Sequence, residues 1–75
     1  MSVVLAKRER AKMGQEELAR EAGISVFKLS RIERGTQPLQ IPEAIALARV
    51  LKCNPIELLP ELGEAMTTIK ESTHA

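Results

Sequence analysis

The sequence predicts a small all-α fold of five short helices, and three observations carry that expectation. Apolar residues recur at helical spacing, most clearly Ala44, Leu47, Ala48 and Leu51 at i, i+3, i+4 and i+7. The apolar set is almost wholly aliphatic, with Phe27 the only aromatic among 75 residues, a composition suited to a leucine- and alanine-rich bundle. Two short amphipathic patterns also meet across a single glycine, Gly23, with no room between them for a long loop. At this length one domain is expected. Its single core supplies only about 3–5 kcal/mol, so self-association is a natural supplement.

Taken in order, Ser2 is placed to cap a first helix running to about Lys12, with a thin apolar face of Val4, Leu5 and Ala11. Gly14 is an acceptable N-cap for the second helix, though it brings no side-chain acceptor, and Glu16 and Glu17 then sit where the helix dipole favours negative charge. Leu18, Ala19 and Ala22 form the inner face of that helix, and Gly23 ends it because glycine enters the left-handed region at little cost. Ser25 offers a hydroxyl to cap a third helix, about Ser25 to Arg34, whose Leu29 and Ile32 face inward. Helix, tight glycine turn and second helix together make a helix-turn-helix. Gly35 closes the third helix, and residues 36–40 read as an exposed loop. A fourth helix is expected near Pro42, and Asn54-Pro55 signals a fifth that runs to Leu58 or Leu59. Residues 1–60 form the expected domain. In the tail, 61–75, Leu62, Met66 and Ile69 fall at i, i+4 and i+7, which allows one extra C-terminal helix.

The strings Q-E-E-L-A, A-G-I-S and L-S-R-I-E-R-G resemble the helix-turn-helix of the phage-repressor/Cro class, also called the xenobiotic-response-element family. The positions that carry the likeness are Gln15, Glu17, Leu18, Ala19, Ala22, Gly23, Ser25, Leu29, Ile32, Glu33 and Gly35. The resemblance implies a lambda-repressor-like DNA-binding domain. Two departures stand out: Lys12 occupies a place where glycine is common, and Gly14 one where Ser or Thr is common. The family likeness also makes Cys53 a core residue where valine is usual.

Site residues follow from the resemblance position by position. Base reading falls to Ser25, Val26, Phe27 and Arg31. Of these, Arg31 has the chemistry for a bidentate bond to guanine, and Val26 and Phe27 can meet only thymine methyl groups. Phe27 could instead be core, but burying it would rotate Leu29 and Ile32 out. Gln15 matches a phosphate-binding glutamine at a helix N-terminus, where free N–H groups already favour an anion. Lys28, Arg34, Thr36, Gln37 and Arg8 are further phosphate candidates. Arg8 is also expected to grip Glu33 with its guanidinium fork and fix one helix against another.

Net charge is only +1, but residues 1–35 carry eight Lys/Arg against five Glu, while 36–75 carry three against five. The basic half is the half with the helix-turn-helix, as a phosphate-facing surface requires. Cys53 is the only cysteine, so no internal disulfide or cysteine-cluster metal site is expected, and no cofactor. The composition offers no nucleophile–base pair and no phosphate-cradling glycine loop, so no enzyme is expected. Without a membrane-length apolar run or a secretory leader, a cytoplasmic protein is the expectation.

The leading reading is a sequence-specific transcriptional regulator of the Cro/repressor or restriction–modification controller kind. It binds double-stranded DNA as a homodimer on a near-palindromic operator and needs no small-molecule effector. The alternatives are an antitoxin, which represses its own operon while its tail binds a toxin, and a protein-interaction module that has lost DNA binding. Leu59, Leu62, Met66 and Ile69 are the expected dimer contact, against two other fates for the tail: packing on the core or staying disordered.

Overall fold

The computed structural model of the protein describes residues 2–63. Five helices follow one another: α1 (Val3–Arg10), α2 (Gln15–Ala22), α3 (Val26–Arg34), α4 (Ile41–Leu51) and α5 (Pro55–Leu58). Residues 61–63 are helical as well, and no strand occurs among the described residues.

Local capping chemistry decides where each helix begins and ends. Ser2 Oγ accepts the Leu5 N–H at 3.3 Å and starts α1. That helix stops at Arg10, short of the expected Lys12. Lys12 turns to φ +57°; its N–H donates to the Glu9 carbonyl at 3.0 Å and the Met13 N–H to the Arg8 carbonyl at 3.2 Å. These reversed bonds satisfy the last carbonyls of α1, a role glycine fills more cheaply than lysine. Ala11 is exposed and does not join the apolar face, so that face reduces to buried Val4 and half-buried Leu5.

The same termination recurs at Gly23, φ +73°, where the Ile24 N–H reaches back to the Ala19 carbonyl at 3.0 Å. Ser25 Oγ then accepts the Lys28 N–H at 3.0 Å and opens α3 two residues later. Helix α4 begins at Ile41, with Pro42 in its first turn, and Glu43 Oε1 accepts the Gln40 N–H at 3.1 Å. Asn54 caps α5: its Oδ1 accepts the Ile56 N–H, and Glu57 Oε2 accepts the Asn54 N–H, each at 3.0 Å.

Helix α2 lies at the middle, packed on α3 and α4, while α1 closes over α3, α4 and α5. Leu18, Leu29 and Leu47 are wholly enclosed at the centre, with Val4, Ala19, Ala22, Ile32, Ala48 and Leu58 around them. Truncating one such leucine to alanine costs about 2–5 kcal/mol, as much as a core of this size supplies. Cys53 sits at the edge of the core, half-buried, rather than inside it, and burial pushes its thiol up. Leu59 and Leu62 are also half-buried, whereas Met66 and Ile69 lie outside the described residues.

Candidate nucleic-acid interface

Helix α3 has two chemically distinct faces. Leu29, 0% exposed, and Ile32, 5%, anchor it in the core, and that rotation leaves Phe27 73% exposed. Arg31 and Arg34 are exposed with it. Val26, expected beside Phe27 as a reader, is half-buried and packs against the edge of the core, so only part of its side chain faces outward. Ser25 is exposed at the N-terminus; its oxygen lone pair is engaged by the cap, and its hydroxyl proton is left for an outside acceptor.

Arg31 Nε donates to Gln37 Oε1 at 3.1 Å, and Thr36 Oγ1 donates to the Arg31 carbonyl at 3.2 Å. The loop after α3 thereby steadies the guanidinium at its inner nitrogen, leaving both terminal amino groups for an incoming partner. Thr36 and Gln37, expected as phosphate contacts, thus also support Arg31.

The far end of α3 is held by a buried polar network. Glu33 is only 7% exposed. Arg8 grips it with both prongs, Nε to Oε2 at 2.7 Å and Nη2 to Oε1 at 3.0 Å, while Nη1 donates to the Met13 carbonyl at 3.0 Å. The bond to Glu33 raises the Arg8 pKa above its ordinary value, with burial opposing. Gln15 Nε2 donates to Glu33 Oε1 at 3.0 Å as well. One carboxylate therefore ties α1, α2 and α3 together. An amide nitrogen carries two N–H groups, so Gln15 keeps a second donor at the N-terminus of α2. With three of its donors bound to Glu33 and Met13, Arg8 is chiefly a strut, and its availability to a phosphate is reduced accordingly.

Lys28 is engaged too. Its ammonium forms an ion pair with Glu43 at the start of α4. Burial pushes the Glu43 carboxyl up, but the Lys28 bond, the Gln40 N–H and the Lys28 charge together outweigh it and hold the pKa below the usual range. This side chain, expected among the phosphate contacts, points its charge toward α4 instead. The Glu43 partner escaped the sequence reading, although Gln40-x-x-Glu43 has the spacing of a helix-start signature and could have marked it as a capping residue. No local signal marks the Gln15–Glu33 bond, which joins residues eighteen positions apart on different helices.

Among the described residues there is no group of three or more His, Cys, Asp or Glu side chains placed to hold a metal, and no helix long and apolar enough to cross a membrane. Residues 6–62, most of the chain, match the family described as the helix-turn-helix domain. Comparison with curated proteins and with solved structures gives no match.

Proposed function

The chain belongs to the helix-turn-helix domain family, whose members are DNA-binding, and from that premise we propose that it is a sequence-specific transcriptional regulator. The observation that carries the reading is the orientation of α3: inner face locked by Leu29, Ile32 and Glu33, outer face presenting Phe27 and Arg31. A helix so held can lie in a major groove without reorganising. Arg31 then reads guanine through its terminal nitrogens, Phe27 and the exposed part of Val26 cover thymine methyl groups, and Ser25 donates at the helix start. Gln15, Arg34, Thr36 and Gln37 hold phosphates and set the register. Two copies bind half-sites about 34 Å apart on a near-palindromic operator.

A binding titration on the DNA upstream of the gene, against a scrambled duplex of equal length and at two salt concentrations, tests this. Two protected halves one helical turn apart, with affinity at least ~10³ above the scrambled control, are expected. Weak binding, equal on both duplexes and abolished by moderate salt, would sink the regulator reading and turn the search toward a protein partner, such as a toxin.

A further inference from the structure

Three cations lie on the recognition helix, Lys28, Arg31 and Arg34, and the first of them is paired with an acid. Lys28 occupies the first turn of α3, near the reading end, where an ammonium would ordinarily seek the nearest phosphate. Its side chain is 33% exposed and pairs with Glu43, whose side chain is 9% exposed. Glu43 is itself fixed by accepting the Gln40 N–H at the start of α4. Helix α3 packs chiefly on α2 and α1, so the Lys28–Glu43 pair is a side-chain strap to a helix that α3 otherwise reaches mainly through α2 and the intervening loop.

We infer that Glu43 is a positioning residue that draws Lys28 against α4 and withholds its charge from the DNA backbone. This inference rests on the regulator reading above. A phosphate contact strengthens binding to every sequence alike, because its energy comes from counterion release rather than from base identity. Removing one cation from the contact set lowers that background and leaves the reading done by Phe27 and Arg31 untouched. The more deeply buried end of the pair is the acid, so a carboxylate already largely desolvated and hydrogen-bonded competes well with a solvated, salt-screened phosphate for the same ammonium.

The test is the salt dependence of binding to the scrambled duplex, measured for the full chain and three variants: Glu43→Gln, Lys28→Gln and the two combined. Glutamine at 43 keeps an oxygen for the Gln40 N–H, so α4 retains its start while losing the charge that holds Lys28. Glu43→Gln should steepen the log–log salt slope by about 0.9 and tighten binding about eightfold at ~0.1 M salt, the counterion release expected of one added phosphate contact. Lys28→Gln alone should leave the slope of the parent protein unchanged, and the combined variant should lose the gain. A purely structural role for Glu43 would weaken binding without adding a contact. A slope lowered by about 0.9 in Lys28→Gln alone, or one unchanged in folded Glu43→Gln, overturns the inference. Lys28→Gln, at a half-exposed position, decides the point even if Glu43→Gln fails to fold. A parent protein that binds neither duplex overturns the regulator reading and this inference with it, whereas specific binding with the wrong slopes overturns the inference alone.

Discussion

Replacing Arg8 by methionine should cost more than replacing Glu33 by methionine, although both substitutions remove the two Arg8–Glu33 bonds and one bond besides. The asymmetry follows from burial: the Arg8 side chain is 15% exposed and the Glu33 side chain 4%. Without Arg8, the Glu33 carboxylate stays enclosed with only the Gln15 amide as partner, and an uncompensated buried charge costs about 3–5 kcal/mol. Without Glu33, the guanidinium keeps its bond to the Met13 carbonyl and can swing its other nitrogens to water. That leaves a loss of about 1–2 kcal/mol, within the range for a charged hydrogen bond whose partner is resolvated. Methionine in either place preserves most of the apolar stem, so packing changes little. The double variant removes both charges at once and should lie within about 1 kcal/mol of the parent, giving a coupling of at least ~3 kcal/mol. Urea unfolding followed by circular dichroism reads all four proteins, in a sulfate-containing buffer if the weakest variant needs support. Equal losses in the two single variants, or losses that simply add in the double, would refute the view that one enclosed carboxylate organises three helices.

In DNA binding, Arg31→Ala should cost about 1–3 kcal/mol on the operator and relax preference at one base pair, while Gln15→Ala weakens all sequences alike; equal loss on operator and scrambled duplexes for both would refute that division. Phe27→Ala should change the unfolding free energy by no more than about 0.5 kcal/mol, since the ring is 73% exposed, yet weaken operator binding by at least ~1 kcal/mol through lost contact with thymine methyl groups. Lys12→Gly should stabilise the fold by about 0.5 kcal/mol in the same urea assay, because Lys12 holds φ +57° and relief of left-handed strain slightly exceeds the extra chain entropy glycine brings. The Glu43 and Glu57 pKa values are both lowered in the folded chain. Their stabilisation is therefore complete above the ordinary carboxylate pKa of about 4.3 and lost as pH falls below it through the folded values. The urea midpoint should drop across that acid range, and Glu43→Gln should flatten the drop.

How far the sequence could be read depended on whether a signal was local. Ser2, Gly23, Ser25, Gly35 and Asn54 announce their helix boundaries because capping is settled within three or four residues. The inward set of Leu18, Leu29, Ile32 and Leu47 follows from periodicity alone. Lys12 and Lys52 are opaque for the converse reason: each takes a left-handed position that lysine does not advertise, and at Lys12 the sequence pattern runs past the real end of α1. Charged side chains were hardest to place. Composition says that Lys28 is basic and lies on the recognition helix, but its bond to Glu43 depends on how α4 lies against α3, fifteen positions along the chain. Arg8–Glu33, twenty-five positions apart, could be anticipated only through the family resemblance.

That difference bears on how basic charge near a recognition helix should be counted. Arg8 and Lys28 are both cations beside α3, yet each is committed to a carboxylate that is largely buried. What remains exposed on α3 is Arg31 and Arg34 together with an aromatic ring. A protein with a formal charge of only +1 that also ties up two of its cations in this way has a weak general attraction for phosphate. In the proposed regulator, the hold on DNA then comes in larger part from groove contacts and from pairing two copies, each of which fails on the wrong sequence. On that proposal, low background affinity and a reader fixed at both ends are two consequences of one arrangement, in which buried acids engage the surplus basic charge in holding the helix still.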